Sequence, residues 1–204
     1  MAILEKYEWC DLWWDETDCM DLPRVVLIGD SIARGYRKAV SALLRGEALV
    51  DQLATSRAVD NPALLHELAY MLGEHSPRHD VVHLNNGLHG HHLSVAEYRI
   101  GLQQLIDFVV GHPQRPLLIL VTSTPVSVLG CVEELDKQKN GSVVERNQAV
   151  RTLAQEYGLP VHDLYTAMLS HPEYRSSDGY HYTAEGQRVQ AESVARSIRS
   201  MLRD

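Results

Sequence analysis

Short apolar runs alternate with amphipathic helical patterns along most of this chain. Apolar runs of about four to eight residues between turn signals are typical of buried strands, and helices between such runs are typical of βαβ units. Because βαβ crossovers are right-handed, the pattern predicts a three-layer α/β/α sandwich around a five-stranded parallel sheet. The predicted strands are Arg24–Gly29, Ala48–Leu53, Asp80–Asn85, Leu117–Thr122 and Leu159–Asp163.

Signals for helix ends lie between these strands. Asn61 followed by Pro62 predicts a capped helix start, and Ser94 and Ser142, each with a glutamate three residues later, predict capping boxes. Gly158 follows a helical pattern and predicts a C-terminal cap. The predicted helices cover residues 32–45, 62–72, 94–111, 142–158 and 183–203.

Composition excludes several classes of partner. The chain of 204 residues has a formal net charge of -8 with scattered lysines and arginines, so neither nucleic acid nor an anionic membrane is an expected partner. No stretch approaches the roughly 18 apolar residues of a membrane-spanning helix.

Cys10, Cys19 and Cys131 match no zinc pattern and are expected to be reduced, partly buried thiols. The acidic N-terminus is unlike a signal peptide, so a cytoplasmic location is predicted.

No repeat or linker divides the chain, which predicts one domain with a short extension. Residues 1–22 are predicted to form an N-terminal arm, and residues 23–204 the α/β domain. Trp9, Trp13 and Trp14 lie in the arm. We expect the arm to pack over the edge of the sheet, and a stacking surface for sugar rings is the alternative.

Two short motifs lie where this fold places reactive groups, at the carboxyl edge of the sheet. Gly29-Asp30-Ser31 follows the first strand, which places the Ser31 N–H near a helix N-terminus. Asp178 and His181 precede the last helix in one loop, and a serine nucleophile needs both a base and a group that orients the base. Taken alone, Ser31 could be a helix cap, and the second motif a turn followed by a surface histidine.

Together, Ile28–Ile32 (IGDSI) and Asp178–His181 (DGYH) resemble the signature motifs of the SGNH, or GDSL-like, hydrolases. The resemblance spans the chain from about residue 24 to its C-terminus, with the motifs in the family order. It implies a flavodoxin-like SGNH hydrolase fold and an esterase that needs no cofactor. It also implies an acyl-enzyme mechanism with Ser31 as nucleophile, His181 as general base and Asp178 as the partner of His181.

Two positions of the expected oxyanion hole depart from the family pattern. The family has a glycine after the second strand whose N–H binds the oxyanion, and Ser56 is the nearest match here. The family also has Gly-x-Asn after the third strand, where this chain has Gly87-Leu88-His89. We therefore expect the N–H groups of Ser31 and Ser56 and the imidazole of His89 to bind the oxyanion, because an imidazole N–H can donate as an amide does. A supporting or surface position of His89 is the alternative.

The sequence constrains the substrate less closely than it constrains the reaction, because this fold is shared by ester hydrolases that act on many different substrates. A single phenylalanine and the lack of an evident apolar lid favour a small acyl group, such as acetyl, on a sugar or another polar alcohol. The polar segment Glu133–Asn140 is predicted to be a mobile loop near the site. Arg34 and Arg57 could bind substrate or pair with carboxylates. The full set of candidate substrate-binding residues is Asp30, Arg34, Arg57, Asn86 and Tyr180.

Two other functions stay open. Because both oxyanion positions differ from the family pattern, the chain could be an SGNH-like binding module with weak turnover. The histidines of segment 89–92, with Asp30 and Asp178, could instead hold a metal pair for phosphoester hydrolysis. The further Asp and Asn-His motifs of such a site are missing from the sequence, so no metal is expected.

A homo-oligomer is compatible with the sequence, which does not specify the oligomeric state.

Overall fold

The computed structural model describes residues 7–73 and 76–202, in which a six-stranded sheet lies between two layers of helices. The strands are β1 (Cys10–Trp13), β2 (Arg24–Gly29), β3 (Leu49–Thr55), β4 (Val81–Leu84), β5 (Leu117–Val121), β6 (Ser127–Val128), β7 (Cys131–Leu135) and β8 (Val161–His162). The helices are α1 (Ser31–Leu43), α2 (Pro62–Met71), α3 (Val95–Val110), α4 (Lys137–Tyr157), α5 (Leu164–Leu169) and α6 (Ala184–Leu202), with a short 3-10 helix at Pro172–Tyr174.

The main sheet has the order β1-β3-β2-β4-β5-β8, and its five strands from β3 to β8 are parallel. Along β2, Val25 and Leu27 enter one hydrophobic core, whereas Val26 and Ile28 enter the other, because successive strand residues point to opposite faces. Helices α1, α5 and α6 close the first core, and α2, α3 and most of α4 close the second. The predicted three-layer sandwich with five parallel strands is therefore confirmed.

Several predicted helix ends are also confirmed. The side chain of Asn61 accepts a hydrogen bond from the N–H of Ala63 at the start of α2. Ser94 and Glu97 form a capping box at the start of α3, with both reciprocal bonds present. Gly158 ends α4 in the left-handed conformation, at φ 65°, which a glycine adopts without steric cost.

The predictions for the segment before α4 are wrong. Helix α4 begins at Lys137 because the Asp136 carboxylate accepts from the N–H groups of Gln138 and Lys139 at 3.0 and 2.9 Å. Ser142 is therefore no cap, and its hydroxyl donates to a carbonyl inside the helix. The predicted loop Glu133–Asn140 instead contains the end of β7 and the first turn of α4, and β7 pairs with β6 in a hairpin.

The prediction of partly buried cysteines is also wrong for two of the three, because the thiols of Cys10 and Cys131 are exposed.

The N-terminal segment extends the sheet as an antiparallel edge strand. Strand β1 pairs with β3 from Cys10 opposite Thr55 to Trp13 opposite Gln52. The connection to β2 is held by a buried ion pair, in which the Arg24 guanidinium lies 2.8 Å from the Asp51 carboxylate. Asp51 also accepts from the N–H of Asp15 at 2.7 Å. The division into an arm of residues 1–22 and a domain of residues 23–204 stays a prediction.

Candidate active site

Ser31 lies at the sharp turn between β2 and α1. A Cβ at Gly29 would lie 2.6 Å from the Cβ of Ala33, so only glycine allows this approach of strand and helix. The helix cap is Asp30, whose carboxylate accepts from the N–H of Ile32 at 2.8 Å, so the interpretation of Ser31 as the cap is wrong. Ser31 is the first residue of α1, and its N–H is one of the four that no carbonyl within the helix can reach.

Ser31, His181 and Asp178 form a continuous chain of hydrogen-bonded side chains, although Ser31 and His181 are 150 residues apart. The Oγ of Ser31 lies 2.8 Å from the Nε2 of His181, and the Nδ1 of His181 lies 2.9 Å from Asp178 Oδ2. The side chains of His181 and Asp178 are about half exposed, at 48% and 49%. The structure thus brings together the three residues that the resemblance implies as a triad.

The loop that carries Asp178 and His181 is held by bonds of its own and by the β6–β7 hairpin. Asp178 Oδ1 accepts from the N–H groups of Tyr180 and His181, both at 2.8 Å. The N–H of Ser127 in the hairpin donates to the Gly179 carbonyl at 2.8 Å. Gly179 has φ 86°, and a Cβ there would lie 2.4 Å from the Ser127 carbonyl oxygen. This supporting hairpin was not predicted from the sequence.

The environment keeps Asp178 ionised. Partial burial raises the pKa of Asp178, but the two backbone N–H groups and the His181 side chain outweigh that effect, and the pKa lies below its ordinary value. Burial raises the pKa of Asp30, while the nearby imidazoles of His89 and His181 counteract part of that rise. His89 and His181 thus both lie close enough to the Asp30 carboxyl to act on its charge.

The loop after β4, residues 86–90, carries His89 at the same edge of the sheet. The side-chain amide of Asn86 donates to the Arg57 carbonyl at 2.8 Å, and the hydroxyl of Tyr98 donates to the Asn86 carbonyl at 2.6 Å. The Arg146 side chain contacts the same loop from α4. The Asn86 side chain is buried and connects two loops, which does not support the predicted contact with substrate. His89 is partly exposed.

Ser56 does not fit the predicted oxyanion hole. Its N–H donates to the Trp9 carbonyl at 3.1 Å, and its hydroxyl accepts from the Trp9 N–H at 2.9 Å. Ser56 is 1% exposed because the segment before β1 lies against it. Its amide is thus already bonded within the protein, and we no longer include it among the oxyanion donors.

The other candidate substrate contacts fall into two groups. Arg57 pairs with Glu67 at 2.8 Å and with Glu8 at 3.0 Å, so the alternative of pairing with carboxylates is confirmed, and the contact of Arg57 with substrate stays a prediction. Asp30 is buried as the α1 cap, which does not support its predicted contact with substrate. Arg34 is exposed, with its guanidinium 4.7 Å from the centre of the Trp9 ring.

Tyr180 lies at the rim of the site, directly before His181 in the chain. Its ring is 5.0 Å from the Lys139 ammonium and 6.4 Å from the His91 ring. Trp13 packs under Arg37 at 5.1 Å, and Trp14 contacts Tyr70 edge-on at 5.9 Å, away from the triad. Of the predicted substrate contacts, Arg34 and Tyr180 are the ones that we favour.

Two other features of the described part of the chain concern alternative functions. Within residues 7–73 and 76–202, no three His, Cys, Asp or Glu side chains come together as a group that could hold a metal ion. The interpretation as a metal-dependent phosphoesterase thus gains no support from this arrangement. None of the helices in those two ranges is both long enough and apolar enough to span a bilayer.

Comparisons with known proteins agree with this geometry. The model of the GDSL-like Lipase/Acylhydrolase family matches residues 27–189, which include Ser31, Asp178 and His181. No curated protein gives a significant match in sequence.

Several solved structures share the fold at low sequence identity. A carbohydrate acetylesterase family member from Sinorhizobium meliloti is 19% identical with a TM-score of 0.70, over 88% of this chain and 99% of that chain. A lipase/acylhydrolase from Enterococcus faecalis is 22% identical with a TM-score of 0.68, over 87% and 96%. An aryl esterase from M. smegmatis is 17% identical with a TM-score of 0.68, over 88% and 99%. The family match covers most of the chain, so this protein belongs to the GDSL-like lipase/acylhydrolase family and is a carboxylic ester hydrolase.

Proposed function

We propose that this protein is a serine esterase that removes a small acyl group, preferably acetyl, from a sugar or another polar alcohol. The observation that carries the proposal is the chain of contacts from Ser31 Oγ to His181 Nε2 and from His181 Nδ1 to Asp178, at 2.8 and 2.9 Å. A serine hydroxyl is a weak nucleophile, and this arrangement supplies both the base and the carboxylate that orients the base.

In the first half of the reaction, His181 Nε2 takes the proton of Ser31 Oγ as the oxygen attacks the ester carbonyl carbon. The carbonyl oxygen becomes an oxyanion, which we assign to the Ser31 N–H at the start of α1 and to the imidazole of His89. The positive end of the α1 dipole favours negative charge at the same place. Asp178 stabilises the imidazolium that forms on His181.

In the second half, the tetrahedral intermediate collapses and His181 gives its proton to the departing alcohol. Water then enters, His181 takes a proton from it, and the resulting hydroxide attacks the acyl group on Ser31. Collapse of this second intermediate releases the carboxylic acid and returns the proton to Ser31 Oγ. Every proton is thus accounted for by His181, and no cofactor takes part in the proposed reaction.

The preference for a small acyl group rests on the space around the nucleophile. The cavity that includes Ser31, His181 and Gln190 has a volume of about 10 Å³, which suits roughly one water molecule, so this cavity is not an acyl tunnel, and the half-exposed His181 faces open solvent. A much larger groove of about 740 Å³ lies by Trp14 and Tyr70, apart from the triad. The fold shared with a carbohydrate acetylesterase family member is consistent with a polar alcohol as leaving group. A cytoplasmic location is part of this proposal.

Hydrolysis of p-nitrophenyl esters tests the proposed function. At pH 8 we expect the protein to release p-nitrophenol from the acetate ester in a burst or with steady turnover, and much less from the octanoate ester. A chelator should leave the rate unchanged. Faster hydrolysis of the octanoate would contradict the small-acyl preference, and loss of activity with the chelator would favour the metal-dependent alternative.

The role of His89 gives a second expectation from the same assay. Replacing His89 by alanine should lower kcat by about 10²- to 10³-fold, the usual cost of removing one oxyanion donor. His92→Ala is a matched control, because His92 lies in the same segment but pairs with Asp60 at 2.9 Å, and it should leave kcat unchanged. A His89→Ala enzyme within a few-fold of the wild type would show that His89 does not bind the oxyanion.

A further inference from the structure

Arg146 on α4 is a buried charged residue whose guanidinium donates hydrogen bonds to the loop that follows β4. Its side chain is 4% exposed, and its Nη1 donates to the carbonyl oxygens of Gly87 and His89 at 3.0 and 2.7 Å. Its Nη2 donates to the carbonyl oxygen of Gly90 at 2.5 Å. The guanidinium also lies 5.0 Å from the centre of the Tyr98 ring. One side chain thus binds three carbonyls within the four residues 87–90.

A buried guanidinium is costly unless its N–H groups are bonded, and burial lowers the pKa of Arg146. The planar fork of arginine presents several donors in fixed directions, whereas a lysine ammonium is a compact point charge on a flexible stem. Three carbonyls of one loop converge on this group, so a shift of the loop would break at least one of these bonds. Arg146 therefore specifies the backbone path of the loop more closely than an apolar side chain would.

The loop is confined on its other sides as well. A Cβ at Gly87 would lie 2.0 Å from Ser123 Oγ, and a Cβ at Gly90, which has φ 72°, would lie 2.7 Å from the Cβ of Ala58. The loop is thus packed between Ala58, in the segment that follows β3, and Ser123, in the segment that follows β5. Because the backbone at His89 is held on three sides while its side chain stays partly exposed, small shifts of the loop would displace the imidazole.

We propose that Arg146 is a positioning residue for ester hydrolysis, which fixes loop 87–90 so that the His89 imidazole lies at the oxyanion formed on Ser31. The inference rests on the proposed function. Arg146 itself does not touch the substrate. It acts through the His89 carbonyl, whose direction sets the position of the His89 Cα and hence of the side chain.

Arg146→Lys tests this inference in the p-nitrophenyl acetate assay. The lysine keeps the charge, but its compact ammonium on a flexible stem cannot aim donors at the three carbonyls in the fixed directions of the planar guanidinium, so we expect kcat to fall by about 10- to 100-fold, up to the effect of losing the His89 donor itself. KM should change by less than about threefold, because the oxyanion forms only in the transition state. Arg146→Gln, which keeps one amide NH₂ group with two N–H donors and no charge, is the second variant if the lysine enzyme does not fold.

Arg24→Lys is the matched control for buried arginine. Arg24 is also 4% exposed, but it pairs with Asp51 at the amino end of β2, far from the loop. This variant should lose thermal stability and keep the wild-type kcat. A fall in kcat in Arg146→Lys that Arg24→Lys does not share would show an effect on the reaction beyond a general loss of stability.

A double mutant shows whether Arg146 acts through His89. In a His89→Ala background, Arg146→Lys should lower kcat no further, because residues that act through one interaction are not additive. An unchanged kcat in Arg146→Lys, or a full additive loss in the double mutant, would overturn the inference and leave the proposed function intact. Absence of Ser31-dependent turnover in the wild type would overturn the proposed function itself, and the catalytic role of Arg146 with it.

Discussion

Replacement of Ser31 by alanine is expected to lower kcat for p-nitrophenyl acetate by at least about 10⁴-fold and by up to about 10⁶-fold, as for other triad serines. The reason is that no other group of the site can form the acyl-enzyme from the position that Ser31 Oγ occupies. The substitution should not disturb the fold, because the helix cap is Asp30 and the Ser31 hydroxyl bonds only to His181 among its described contacts.

The covalent step can be measured apart from turnover. A fluorophosphonate probe reacts with an activated serine, so the wild type should gain one adduct, located by peptide mass at Ser31, and Ser31→Ala should gain none. Ser41→Ala is the matched control on the same helix, because the Ser41 hydroxyl donates to Asp15 at 2.7 Å and lies nearly three turns beyond Ser31, or about 15 Å along the helix. Equal hydrolysis by wild type and Ser31→Ala would mean that another nucleophile carries the reaction.

Local sequence signals predicted the elements of this fold with good accuracy. The caps at Asn61 and Ser94 and the end of α4 at Gly158 depend on side chains and conformations within a few residues, so the sequence alone specifies them. The parallel sheet then brings the carboxyl ends of β2 and β4 to one edge. This topology, together with the family motifs, is why two segments 150 residues apart were predicted to meet as Ser31 and His181.

The errors at the active site involve partners that are distant in sequence, unlike the error at the start of α4, where Asp136 caps the helix locally. The sequence suggested that the Ser56 N–H could bind an oxyanion. In the structure β1 pairs with β3, and the Ser56 N–H donates instead to the carbonyl of Trp9, the residue before β1. Arg57 is bound by the carboxylates of Glu8, just before β1, and Glu67 in α2. The sequence pattern around Arg146 does not predict its three carbonyl contacts, because an arginine in an amphipathic helix is normally expected to be exposed to solvent.

Asp178→Asn is expected to lower kcat by about 10⁴-fold with little change in KM. Asp178 now presents one oxygen to the N–H groups of Tyr180 and His181 and the other to His181 Nδ1. An asparagine can keep the first oxygen as an acceptor, so the loop should retain its shape. Its NH₂ group would then face Nδ1 as a donor, which favours the tautomer with the proton on Nε2. In that tautomer His181 cannot accept the proton of Ser31.

The comparison with Asp178→Ala separates the two functions of this carboxylate. Alanine removes the acceptor for both backbone N–H groups, so it should loosen the loop and lower thermal stability as well as kcat, whereas asparagine should lower kcat alone. Labelling of Ser31 by the fluorophosphonate should slow in both variants. If Asp178→Asn retained kcat within about tenfold of the wild type, His181 would not depend on a carboxylate for its tautomer, and Asp178 would act only as an anchor of the loop, since a true triad aspartate costs about 10⁴-fold.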